Sequence, residues 1–149
     1  MARLEGSARI ASEAVSAATV ETLIQLLTVA NHRAALLGYG VGGSGTSNTQ
    51  QPGIIDILRQ TTLGTGSALT LRRLQDTIAE ALLTTAVSQY TVEPTPGDLL
   101  RSHTLHPQAA FDIRDAFSRE IIIGGAGRLA IRADFADAQT LEAYMDFEE

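Results

Sequence analysis

Residues 128–134, RLAIRAD, alternate strictly: Leu129, Ile131 and Ala133 fall on one side, Arg128, Arg132 and Asp134 on the other. A period of two belongs to a strand, and a strand with one apolar side has one face on a core. Before it stand Gly124, Gly125 and Gly127, and before those a β-branched run at residues 120–123. Strand, glycine turn and strand together predict a β-hairpin over residues 118–134. A sheet with one buried face needs a second layer, which the rest of the chain has to supply.

Other segments repeat the strand signal. Residues 53–60 (GIIDILRQ), 86–92 (AVSQYTV), 99–106 and the closing 141–148 (LEAYMDFE) read as strands. Residues 33–41 (RAALLGYGV) read as a strand in which Gly38 and Gly40 mark a bulge or a close backbone approach. Residues 3–10 suggest a first edge strand, and residues 110–113 a short one. Residues 12–30 fit either a helix or a loop followed by a strand at 22–28. Turns fall at residues 30–32, 61–67 and 93–98, the last because Pro94 and Pro96 cannot sit in a central strand. Residues 42–53, bounded by Gly42 and Gly53, form the clearest loop. Leu71, Leu74, Ile78 and Leu82 recur at helical spacing, which predicts one short helix around 71–84. Many short strands with regular turns and at most one or two helices give an all-β fold, an antiparallel β-sandwich of jelly-roll type. Residues 1–16, rich in Ala, Ser and Glu, read as a flexible N-terminal arm on a single sandwich domain of residues 17–149. Ile122, Leu129, Ile131, Leu141, Met145 and Phe147 are the expected core or subunit-contact residues.

The chemistry is narrowed by what the chain contains. There is no cysteine, which removes disulfides and thiolate chemistry. A net charge of −6 disfavours nucleic acid as a partner. All 11 basic residues are arginine, a bias that suits multidentate interface contacts or reflects codon composition. No segment reaches the roughly 18 apolar residues of a membrane span. The N-terminus lacks a basic-then-apolar signal, so synthesis in a cytoplasm is expected.

His103 and His106 are three apart, which on a strand sends them to opposite faces and prevents joint metal ligation. Asp134, Asp137 and Glu142 read as a solvated acidic surface. The glycines at 124–127 lack the lysine and the following helix of a phosphate loop. No nucleophile motif is visible, so no catalytic residue, cofactor or metal is expected and the chain reads as a non-enzyme. Aromatic residues make up only 5%, with no Trp, which weakens a sugar- or base-stacking reading.

Several phrases taken together carry a resemblance: LRQTTLGTGSALT at residues 58–70, EPTPGD at 93–98, HPQ at 106–108, REIIIGG at 119–125, GRL at 127–129 and FEE at 147–149. From about Thr22 onward the chain resembles small β-sandwich structural proteins of tailed bacteriophages that decorate or cement a capsid. Residues 71–84 depart from it by their helical spacing. The resemblance implies a non-enzymatic virion protein on the capsid exterior, a homotrimer bridging major capsid subunits. A neck or tail component, or a carbohydrate-binding sandwich module, is the alternative. Arg3, Arg9, Gly42, Gly53, Arg128 and Arg132 are the candidate interface residues, with Arg3 and Arg9 reaching the capsid from the arm.

Overall fold

The computed structural model describes residues 3–46, 49–75, 80–116 and 119–149. Twelve strands follow one another: β1 Glu5–Val15, β2 Thr19–Leu27, β3 Ala34–Gly43, β4 Gly53–Gln60, β5 Thr65–Leu69, β6 Arg72–Arg73, β7 Thr85–Val92, β8 Pro96–Leu105, β9 Ala110–Arg114, β10 Ile121–Ile123, β11 Arg128–Phe135 and β12 Gln139–Glu148. They form two antiparallel six-stranded sheets, β10-β3-β12-β1-β6 with β9 also on β3, and β5-β7-β2-β11-β4-β8. Among the described residues no strand pairs with its neighbour in the chain. The order β1-β12-β3-β9 facing β2-β11-β4-β8 is the winding of a jelly roll, in which the chain passes repeatedly from one sheet to the other. Strands β5 to β7 are an excursion between β4 and β8 that widens both sheets.

Alternation builds the core. Leu141, Ala143, Met145 and Phe147 of β12 face Leu129, Ile131, Ala133 and Phe135 of β11 across the sandwich, all buried. Strand β3 adds Leu36, Tyr39 and Val41, and β4 adds Ile55 and Ile57. Fully burying a side chain of this size contributes about 1.5–3 kcal/mol. Five of the expected core residues are buried, but Ile122 is 37% exposed and its neighbour Ile123 is buried instead.

The expected hairpin is not one. Ile121–Ile123 pair with Ala34, Ala35 and Leu36 of β3, while β11 lies in the other sheet between β2 and β4. The glycine turn therefore crosses between layers. It is tied to the end of β2, where the Gly127 N–H and the Gly124 carbonyl both bond the Thr28 hydroxyl. Four turn residues can span the gap to the next strand or the gap between sheets, and alternation does not distinguish them.

The expected free arm is β1, an inner strand. Residues from Glu5 to Val15 pair with β12, and Gly6 and Ser7 also pair with β6. Its small residues are a fit: a side chain at Gly6 would meet the Phe147 ring at 2.6 Å. The sandwich thus includes residues assigned to the arm. The expected helix is also absent from what is described of it. Arg72 and Arg73 add to the edge of β1, residues 80–84 have no regular structure, and residues 76–79 lie outside the described residues. Leu71 and Leu82 pack on the core while Leu74 is 53% exposed, so the leucines do not share one face. The Gly42–Gly53 loop is shorter than expected, because Gly42 lies within β3 and Gly53 opens β4. Pro96 begins β8 rather than belonging to the turn, at the first position of an edge strand where proline is tolerated.

Candidate binding surfaces

The outer face of the first sheet has a floor of glycine. In β3, the sequence GYGVG sends Tyr39 and Val41 into the core and Gly38, Gly40 and Gly42 outward. Long side chains from the flanking strands lie over these glycines. Asp112, Gly40, Tyr144 and Arg9 are successive partners across β9, β3, β12 and β1 and form one row. A Cβ on Gly40 would stand 2.5 Å from the Tyr144 ring, so the ring rests on bare backbone. The Tyr144 hydroxyl reaches across to donate to the Asp112 carboxylate. Burial, with Asp112 beside it, raises the phenol pKa and keeps it neutral. Glu142 leans over Gly42, and Arg114 crosses Gly38 to Asp146 at 3.2 Å. Between these side chains lies an open groove of about 320 Å³, bordered by Arg9, Asp112, Glu142 and Tyr144.

A second cluster closes the sandwich where β8 faces β3 and β9. The His103 ring stands 5.0 Å from Phe111 and 5.8 Å from Tyr39, and its Nε2 lies 2.8 Å from the buried Tyr39 hydroxyl. Arg101 pairs with Asp115 at 2.6 Å and donates to the same hydroxyl at 3.4 Å. Burial, then Arg101, lowers the His103 pKa. These contacts are inter-sheet ties. His106 stands apart, accepting from the Gln108 N–H at 3.2 Å, so the two histidines do not converge.

The outer face of the second sheet carries a polar layer beneath two turns. Gln25 donates to Gln60 at 2.5 Å and to the Thr62 carbonyl at 3.1 Å, Gln60 donates to Thr22 at 2.9 Å, and Tyr90 donates to Gln25 at 3.3 Å. Glu93 accepts the Thr22 N–H at 2.9 Å, and burial raises its pKa despite that bond. At this end, the bulge after Ile10 turns Glu13 to the core side of β1. There Glu13 accepts the Gln89 N–H at 3.1 Å through one oxygen while the other is buried without a partner among the described residues. Burial pushes its pKa up to about 7.

The six candidate interface residues do not gather in one place. Arg3 pairs with Glu148, Arg132 with Asp56 at 2.8 Å, and Arg128 donates to the Thr61 carbonyl at 3.2 Å, so these three brace the fold. Gly53 is buried against the Phe135 ring, and Gly42 is part of the groove floor. Arg9 alone among the four arginines is exposed without an ion pair or side-chain hydrogen bond among the described residues. Asp134 and Glu142 lie on opposite sheets, and Asp137 accepts the Gln51 N–H. Sequence reading missed the groove, although the alternating glycines of β3 were its visible trace.

Among the described residues no group of His, Asp and Glu is arranged to hold a metal ion, and no helix is long and apolar enough to cross a membrane. Comparisons with family models, curated proteins and solved structures returned no match to this chain.

Proposed function

We propose that this protein is a non-enzymatic virion component that decorates or cements a capsid, acting by adhesion as a homotrimer on the capsid exterior. The virion assignment and the threefold symmetry rest on the sequence resemblance to tailed-phage structural proteins. The jelly roll agrees with that resemblance, since the architecture recurs in viral capsid proteins as well as in lectins and cupins, but a fold alone does not carry a function.

The observation that carries the adhesive reading is the uneven distribution of exposed apolar side chains. Of the ten large ones exposed among the described residues, Val20, Ile54, Leu63, Val92, Leu99 and Leu100 belong to the second sheet or the turn joining β4 and β5. Leu99 and Leu100 stand on β8, an edge strand whose outer backbone groups have no ladder partner among the described residues. A sticky edge on a rigid body suits contact with copies or with capsid subunits, and repetition over a shell lets each contact be weak.

The test is twofold. Light scattering is expected to give a trimer, and the protein is expected to co-sediment with shells of the major capsid protein encoded in the same gene neighbourhood. Leu99→Arg, at a 57% exposed position, should leave the fold intact and weaken either contact about tenfold. A monomer that ignores such shells overturns the proposal.

A further inference from the structure

We propose that the groove over the β3 glycines binds a neutral saccharide, with Arg9, Glu142 and Tyr144 as its contact side chains. This goes beyond the virion reading and does not depend on it. The groove holds about 320 Å³, at the small end of ligand sites, which suits one or two sugar rings. Gly40 and Gly42 line it, and their missing side chains let the Tyr144 ring and Glu142 lie against the backbone.

The polar rim selects the ligand class. Among the described residues no group engages the donors of Arg9 and no donor fills the acceptors of Glu142. Asp112 already accepts from Tyr144 and adds a second negative charge. A simple anion would meet Glu142 and Asp112, and a simple cation would meet Arg9. A ligand carrying no charge but many hydroxyl groups, each both donor and acceptor, satisfies all three. Tyr144, fixed by its bond to Asp112, adds an aromatic surface whose negative face attracts the C–H groups of a sugar ring. With one aromatic ring the affinity for a monosaccharide should be weak, on the order of 1 mM.

The test uses the ¹⁵N-labelled full chain, titrated by NMR with glucose, galactose, mannose and N-acetylglucosamine up to tens of millimolar, alongside a glycan array. At least one sugar should shift the amides of Gly40, Gly42 and Tyr144 selectively. Arg9→Ala and Glu142→Ala are exposed changes that keep the spectrum of the fold, and each should weaken binding about tenfold. Sodium phosphate and free lysine serve as charged probes. A blank array with no groove shifts, binding undiminished in both variants, or groove shifts stronger with either charged probe than with the sugars overturns the proposal. Capsid co-sedimentation, read separately, is expected to be unchanged in Glu142→Ala, which is not among the candidate capsid contacts, so failure of one reading is distinguishable from failure of the other.

Discussion

At Gly53, a position that reads from sequence as the end of a surface loop, the missing side chain is what matters. A Cβ there would stand 2.3–2.5 Å from three atoms of the Phe135 ring, which is 1% exposed and held by the core. Gly53→Ala is therefore expected to destabilise the protein by about 1–3 kcal/mol, measured by urea denaturation. Glu13 is a second residue whose role comes from its surroundings. Its folded pKa is raised to about 7 from the ordinary 4.5, so the protonated form is favoured by folding. Its contribution is complete below about pH 4.5 and is lost as the pH rises through 7. Glu93 shifts in the same direction, whereas His103 shifts the other way, its neutral form being favoured by folding. The total pH profile mixes these effects, so the useful quantity is the difference between Glu13→Gln and the parent. That difference should move in favour of the variant between pH 5 and pH 8. A flat difference curve would show that Glu13 is solvated in the folded protein.

At the level of elements, β1 separates what pattern can reveal from what it cannot. The strands 53–60 and 128–134 are legible from sequence, the first as a short run rich in Ile and Leu, the second because Leu129, Ile131 and Ala133 alternate with Arg132 and Asp134 and are the buried members. Strand β1 reads from sequence mainly as an arm because Ala8 is small and its one large pair, Ile10 and Val15, is put out of phase by the bulge. A one-residue insertion moves every later side chain to the other face, so Glu13 and Val15 point inward where simple alternation places Ser12 and Ala14. The same limit hid the groove: the outward glycines of β3 show that something lies close, while its identity is set by β9 and β12, distant in the chain. Deleting residues 1–16 now carries a prediction opposite to that for an arm. It would strip β12 of a ladder partner and uncover the Phe147 ring at Gly6. The truncated protein should be insoluble or lack a cooperative thermal transition, and a soluble, cooperatively melting product would show that β1 is dispensable.

For the whole molecule, the jelly-roll winding governs how the fold is reached. Among the described residues no strand pairs with its chain neighbour, and the first ladder joins Glu5 to Glu148. Closing a loop of that length rather than a two-residue turn costs about 4 kcal/mol more in chain entropy. The rate of folding falls as contacts become less local, so refolding after a denaturant jump is expected on the order of seconds or slower. The geometry also says how to change this. Leu4 and Glu149 exchange both backbone hydrogen bonds, at 3.1 and 2.9 Å, so these two residues lie side by side. A circular permutant that joins them through a short glycine linker and opens within residues 44–52 turns the β12–β1 ladder into a hairpin without disturbing any strand. Far-UV circular dichroism after stopped-flow mixing should show it refolding faster than the parent, with an equilibrium stability lower by no more than the gain from lost loop closure can offset. Equal refolding rates would mean that β1 docks after the rate-limiting step, leaving the inter-sheet crossings around β2, β11 and β4 as the slow event.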